Sequence, residues 1–384
     1  MKILILGGNG YLGWPTSLFF SKQGHEVSIV DNFVKKKMEL EFGFKPLIPI
    51  KTLHKRVDCW NKNQNNPINF YVGDLLNHRF IKDLLADIKP DVIVHYAEQP
   101  SAPYSMSNRE RAIFTQQNNV MGNLNLLFAI KKNCPDAHLV KLGTLGEYGT
   151  PNIDIEEGWL NVEHNGRKDK MLYPKKPGSF YHLSKVHDSA NIEFACRIWD
   201  LKCTDLNQGV VYGNFTPEID LDFENLCTSF HYDEVFGTII NRFCSQSVAN
   251  YPLTVYGTGN QKRGYINIID TINCINLAST NPPKKGEFRV FNQFTDFKSL
   301  NEMAEVIIKS SKNLGIKAKA KKIKNPRKEM EEHYYNPKNT SLISLGLKPI
   351  KFNENTIETD IKLITKYKKN IDQEYFMPTV KWEI

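Results

Sequence analysis

A doubly wound α/β fold follows from three features of the sequence. Five near-continuous apolar runs, "KILILGG", "HEVSIVDN", "INFYVGD", "DVIVHYA" and "AHLVKLGT", read as strands buried on both faces. Segments of helical periodicity lie between most of them, including "HRFIKDLLADI" and the long "RERAIFTQQNNVMGNLNLLFAIKKN". The third feature is "GGNGYLG", directly after the first strand. There Gly7, Gly10 and Gly13 permit a tight turn that brings an anionic group to a helix N-terminus. Strand and helix in alternation argue a parallel sheet of Rossmann type with helices on both faces.

The strands carry polar ends in a telling order. Strand two closes on Asp31, about 20 residues past the glycine turn, where a carboxylate accepts hydrogen bonds from a ribose 2′-OH. The same carboxylate repels a 2′-phosphate, which favours NAD over NADP, although Lys35 to Lys37 temper that preference. Asp74 ends strand three as either an adenine contact or a simple strand-end cap. Residues 33–69, between strands two and three, are too many for a plain turn and predict a helix or lid of their own. After residue 206 the pattern loosens into mixed pieces, with helices from about 271 and 299. The expected organisation is an NAD-binding domain over 1–206 and a smaller mixed α/β domain over 207–384, mainly for substrate. Parts of about 237–275 are expected to return to the first domain.

Composition narrows the class. The 384 residues suffice for two domains or one large one, and 41% hydrophobic residues suffice for a full core. The longest apolar runs, "VIV" and "LLFAI", fall far short of the roughly 20 residues that cross a bilayer. With the first strand starting at Lys2, no targeting segment is expected, and the reading is a soluble cytoplasmic protein without membrane insertion. Seven cysteines, scattered and without C-x-x-C spacing, fit reduced thiols and neither a disulfide frame nor a metal site. The net charge of +8 would suit nucleic acid or anionic substrates. The lysine clusters lack interleaved aromatics, so solvated faces are the expectation and nucleic acid is not.

Chemistry concentrates between residues 144 and 185. Thr144 stands where an apolar strand ends, and Glu147 follows in "KLGTLGEYG". In "SFYHLSKVHDS", Tyr181 and Lys185 are four apart on a helical pattern and so share one face. An ammonium near a phenol lowers its pKa from about 10, letting the phenolate take an alcohol proton while Thr144 bonds the same oxygen.

Taken together, the glycine turn, Asp31, Thr144 and Tyr-x-x-x-Lys resemble the extended short-chain dehydrogenase/reductase family of nucleotide-sugar enzymes. Within it, "EQPSAPYSM", "TQQNNVMGNLNLLFAI", "TDLNQGVVYG", "FNQFT" and "NPRKEMEEHYYN" are similar to the branch that forms a sulfosugar. The resemblance implies conversion of UDP-glucose and sulfite to UDP-6-sulfoquinovose with NAD recycled. C4 is oxidised, water is lost across C5–C6, sulfite adds at C6, and C4 is reduced again. It also implies a homodimer formed through helices holding 108–132 and 181–199. Carried over by position, Gly10, Tyr11, Leu12, Asp31, Asn32, Asp74, Leu75, Asn119, Tyr181, Lys185 and Val211 should hold NAD beside Gly7 and Gly13. Gln99, Ser101, Thr144, Asn207, Gln208, Arg242, Thr254, Val255, Tyr256, Gln261, Arg263 and Arg327 should hold the UDP-sugar. Pro100 stands where a basic residue is expected, which removes one anion contact.

Related 4,6-dehydratases carry an Asp-Glu pair right after the threonine, and here Leu145 and Gly146 stand instead. At 5 Å and an effective dielectric of about 20, each carboxylate would repel sulfite by roughly 3 kcal/mol. A base and an acid are still required, and Glu147, Glu98 and His182 are the candidates, Glu147 first. Two competing readings are a UDP-sugar 4-epimerase or 4,6-dehydratase, and a catalytically idle Rossmann regulator or RNA-binder that kept only cofactor binding. The intact Thr144, Tyr181 and Lys185 argue against the second.

Overall fold

The computed structural model describes residues 1–327 and 334–382, so part of "NPRKEMEEHYYN" lies outside the described residues. The chain begins β1 (Lys2–Leu6), α1 (Gly13–Lys22), β2 (Glu26–Asp31), α2 (Val34–Phe42), α3 (Leu53–Asn61), β3 (Ile68–Val72), α4 (His78–Ile88) and β4 (Val92–His95). It continues α5 (Ala102–Met106), α6 (Arg109–Gln116), α7 (Gly122–Asn133), β5 (His138–Thr144), β6 (Trp159–His164), β7 (Arg167–Leu172) and α8 (Phe180–Trp199). Then come β8 (Lys202–Gln208), β9 (Val210–Tyr212), α9 (Phe223–Leu226), α10 (Ile239–Val248), β10 (Leu253–Tyr256), β11 (Lys262–Asn267) and α11 (Ile268–Thr280). The remainder is β12 (Phe288–Gln293), β13 (Asp296–Ser299), α12 (Leu300–Asn313), β14 (Ala320–Ile323), α13 (Thr340–Ser344) and α14 (Glu354–Lys366).

Seven strands form one sheet in the order β3–β2–β1–β4–β5–β8–β12, and every neighbouring pair is parallel. The order reverses between β1 and β4, where open α/β sheets bind ligands beyond the carboxyl ends of their strands. Ile3 to Leu6 are wholly buried because helices cover both faces. Trp14, Leu18, Val57 and Ile272 pack on one side, with Leu85, Leu126, Ile130 and Ile192 on the other. Burying each such side chain stabilises the fold by about 1.5–3 kcal/mol.

A second core gathers Ile240 and Phe243 of α10, Met303 and Ile307 of α12, and Ile357 and Ile361 of α14. The chain crosses between the two cores more than once. β12, from beyond residue 206, completes the main sheet beside β8, with Asn292 level with Asn207. Of the 237–275 stretch, α10 packs in the second core and the start of α11 in the first.

Two local features depart from a simple reading. The long helical pattern over 109–133 is broken by a π-turn at Gln117–Met121. Its cause is visible in Asn119, whose side chain accepts from Gln99 N (2.8 Å) and donates to Gln99 O (3.2 Å). Such single π-turns cluster at functional sites. The 33–69 connection carries two helices, α2 and α3.

Candidate active site

A cavity of about 490 Å³ opens at the carboxyl ends of β1, β2, β4 and β5. Gly7, Gly10, Tyr11, Leu12 and Gly13 form its floor, with Asp31, Asn32, Asp74, Leu75 and Val211 on the wall. Glycine is required here. Gly7 has φ +85°, and a Cβ on Gly13 would lie 2.2 Å from Gly7 O. The turn is braced from beneath by Arg56 of α3, which donates to the Asn9 carbonyl side chain at 2.5 Å and stacks 4.6 Å from Trp14. Asp31 accepts from Asn9 N (2.9 Å) and Phe33 N (2.8 Å), and burial still raises its pKa. Asn32 donates to Asp74 at 3.0 Å, so the two wall residues hold each other. An elongated anionic dinucleotide fits this donor set: open backbone at the turn, carboxylates for the ribose end.

Thr144, Tyr181, His182 and Glu98 all line the same cavity further along. Ser179 caps α8 by accepting from His182 N (3.1 Å), and its hydroxyl also contacts His182 Nδ1 (2.9 Å). Lys185 lies just behind Tyr181, its Nζ 5.9 Å from the phenol ring, donating to Leu142 O (2.6 Å) and paired with Glu98. That pairing corrects one expectation. Burial, with Glu98 and Glu147, raises the Tyr181 phenol although Lys185 pulls it down. Burial by itself would lower Lys185, but Glu98 and Tyr181 hold it above the usual value. His95 stands 3.6 Å behind Glu98, and burial pushes its pKa down to about 4, so it is neutral at pH 7.

Glu147, the first choice for elimination, does not line the cavity. It is 0% exposed and faces the rear of the β5 end. Its carboxylate accepts from Thr144 N (3.2 Å) and Ser189 Oγ (3.1 Å), pairs with Lys175, and lies 3.7 Å from Lys141. Burial would raise it, yet Lys175 and Lys141 hold it at about 2. A carboxylate so held neither takes nor gives a proton near pH 7. Lys141, wholly buried in β5, also reaches Asp205 (3.4 Å) and Ser189 (3.1 Å), completing a sealed ionic cluster. Leu145 turns into a small core with Tyr148 and Tyr173. At Gly146, an added Cβ would stand 2.3 Å from the His182 ring.

On the substrate side, Ser101, Gln208, Arg242, Tyr256, Gln261, Arg263 and Arg327 line the cavity. Arg242 is clamped by Tyr256 Oη (2.6 Å) and Thr254 O (3.3 Å). Besides Lys185, five further residues expected to make contact stand one layer back. Gln99 donates to Ser101 O (3.0 Å) and Thr115 (2.8 Å), and Asn119 holds the Gln99 backbone. Asn207 donates to Tyr148 Oη (2.8 Å), Thr254 is bonded by Gln246 (2.8 Å), and Val255 lies in the second core. Sequence reasoning missed Lys141, although a lysine amid the apolar "HLVKLG" signals a buried ion pair. It also missed Glu234, Val235 and Phe236, which line the cavity from a loop without any motif.

The model of the NAD dependent epimerase/dehydratase family matches residues 3–292. The chain belongs to that family. Its cofactor is NAD, in keeping with the turn that a Cβ would block. A UDP-sulfoquinovose synthase, chloroplastic, from Spinacia oleracea is 49% identical over 382 residues, covering 100% of this chain and 79% of its own. One from Sulfolobus acidocaldarius is 42% identical over 385 residues, covering 100% of this chain and 98% of its own. Among solved structures, the UDP-glucose 4-epimerase of Bifidobacterium longum superposes with a TM-score of 0.71 at 16% identity, covering 97% of this chain and all of its own. Such low identity speaks for the fold alone.

Proposed function

We propose that this enzyme forms UDP-sulfoquinovose from UDP-glucose and sulfite. One observation carries the reading beyond the family: the position after Leu145 is a glycine whose missing side chain leaves room for the His182 ring. Two carboxylates of the dehydratase kind are thereby absent from a site that must admit an anion, and an imidazole stands there instead. The full-length similarity to two UDP-sulfoquinovose synthases supports the same conclusion.

Gly7, Gly10, Asp31, Asn32 and Asp74 would hold NAD, which when bound supplies reversible hydride acceptance at the sugar's C4. Tyr181 receives the C4 hydroxyl proton, with Thr144 bonding the same oxygen and Lys185 favouring the phenolate. The resulting ketone acidifies C5–H. His182 takes that proton and returns it to the 6-hydroxyl, which leaves as water. The Ser179 hydroxyl can donate to Nδ1 or accept from it, so either ring tautomer stands and the imidazole can work in both directions. Bisulfite then bonds C6 through sulfur, its proton passes by way of the now neutral His182 to C5, and Tyr181 gives its proton back to O4 as C4 is reduced. Arg242, Arg263 and Arg327 suit the pyrophosphate, since a guanidinium fork matches its oxygens.

The active form is a homodimer. Exposed Met121, Phe128, Phe180, Phe194 and Ile198 lie on the π-turn, α7 and α8 and would be covered by a second copy. Seven free thiols suit a reducing compartment such as the cytoplasm. Among the described residues no helix is long and apolar enough to cross a membrane.

Mass spectrometry of products from UDP-glucose with and without sulfite tests the activity. The expected product is a UDP-sulfosugar that forms only when sulfite is present. Epimer or 4-keto-6-deoxy sugar accumulating at full rate without sulfite would replace this reading with that of an epimerase or dehydratase. Light scattering on the purified chain tests the dimer, and a monomer mass would refute it.

A further inference from the structure

Past α14 the chain folds back along the molecule, and residues 379–382 lie against residues of the cavity wall. Glu234 lines the cavity and is 9% exposed. Its carboxylate accepts from Thr379 N (2.5 Å), the Thr379 hydroxyl and Val380 N (3.0 Å). Those donors spread a negative charge that would otherwise face two anionic ligands. Val380 is buried with Met38, Tyr104 and Val235, which joins the same loop to α2 and α5. Two residues on, Trp382 donates its backbone N–H to Pro326 O (3.2 Å) and sets its ring 5.4 Å from the Arg327 guanidinium. Arg327 is itself a cavity residue. The strap 379–382 therefore touches the wall at two places far apart in sequence. It lies beyond residue 292, where the family match ends, whereas both UDP-sulfoquinovose synthase relatives align along all of this chain.

We propose that this strap is a working part of the binding site, in which Trp382 is a positioning residue that aims Arg327 at the nucleotide pyrophosphate. A flexible arginine samples many rotamers, and a ring laid against the guanidinium restricts it before the ligand arrives. The clasp on Glu234 anchors the strap to the loop that lines the cavity with Glu234, Val235 and Phe236. The inference rests on the UDP-sugar reading of Arg327 given above.

The test uses the full-length protein with UDP as probe, comparing Trp382→Phe, Trp382→Leu and Arg327→Ala. Leucine keeps apolar bulk but removes the aromatic face. Calorimetry should find UDP binding weaker by roughly three- to thirtyfold in Trp382→Leu and near the parent value in Trp382→Phe. In steady state, KM for UDP-glucose should rise by a similar factor while kcat stays within about twofold, since a positioning contact serves binding. Adding Trp382→Leu to Arg327→Ala should cost nothing further. If Arg327→Ala weakens UDP but Trp382→Leu leaves it unchanged, the strap proposal is overturned. If Arg327→Ala has no effect on UDP, the assignment of Arg327 itself fails.

Discussion

The end of β5 separates two regions built from the same kinds of residue. In front, Lys185 pairs with Glu98 beside Tyr181, Thr144 and His182, and all but the lysine border the cavity. Behind, Lys141 and Lys175 pair with Glu147 and Asp205, all of them buried except Lys175, which is partly exposed. Thr144 and Glu147 are three residues apart, yet one faces each way. The difference is access, not composition. Front groups have an open side where a proton can come from or go to substrate, whereas rear charges are matched within the protein and serve to hold shape. Lys175 precedes α8 by a few residues, so its pairing with Glu147 helps fix the entry to the helix that carries Tyr181 and His182.

The largest expected effect lies in front. Tyr181→Phe should reduce sulfosugar formation by at least about 10²–10⁴, the usual worth of a general acid–base group, with NAD still bound on equilibrium dialysis. Turnover at the parent rate would erase the distinction between the regions.

Behind, Glu147→Gln should act on stability. A buried ion cluster robbed of one charge leaves Lys141 and Lys175 underpaired, which costs about 3–5 kcal/mol in denaturant unfolding. Activity per folded molecule should change by only a few fold. An unaltered unfolding curve together with a 10²–10⁴-fold loss of product would move Glu147 back to the front as a catalyst.

Gly146→Ala probes the boundary itself. The new Cβ would stand 2.3 Å from the His182 ring, so the imidazole must shift. Crowding of this kind costs about 1–3 kcal/mol. Release of deuterium from C5-labelled UDP-glucose should slow more than the first oxidation of C4. Equal slowing of both steps would argue that His182 has no special part in elimination.

Glu98→Gln gives the smallest and most specific change. Glu98 raises both Tyr181 and Lys185, so its removal lets both fall. The phenolate is then reached at lower pH, and the acid limb of the kcat/KM profile should move to lower pH. A limb moving upward, or not at all, would mean that Glu98 does not tune the front pair.

Much of this was legible in one dimension. Near-continuous apolar strands, the glycine spacing, Asp31 and Tyr-x-x-x-Lys specify the sheet, the glycine turn and the helix that carries Tyr181 and Lys185, because each depends on backbone geometry repeated over short distances. Most residues carried over by family position do line the cavity, from Gly7 to Arg327. Direction was not legible. Glu147 is compatible from spacing alone with either side of β5, and the ionic partners that draw it rearward, Lys141 and Lys175, pair with it only in three dimensions. A cofactor contact by Asn119 is what family position implies, whereas the π-turn aims its side chain at the Gln99 backbone.

By itself, then, the sequence determined the parallel sheet, the glycine turn and the spacing of Tyr181 and Lys185, which rest on periodicity and local spacing, and it pointed to the family through the resemblance of its motifs. Only the tertiary structure decided which charges face the cavity and which are sealed behind it. It also decided that Glu98 shares Lys185 with Tyr181, and that residues 379–382 return to touch the cavity residues Glu234 and Arg327. The physical reason is that a charged side chain is oriented by whichever partner offsets its desolvation. Those partners, such as Glu98 with Lys185 and Lys141 with Asp205, come from different strands, helices and loops and are brought together only by packing.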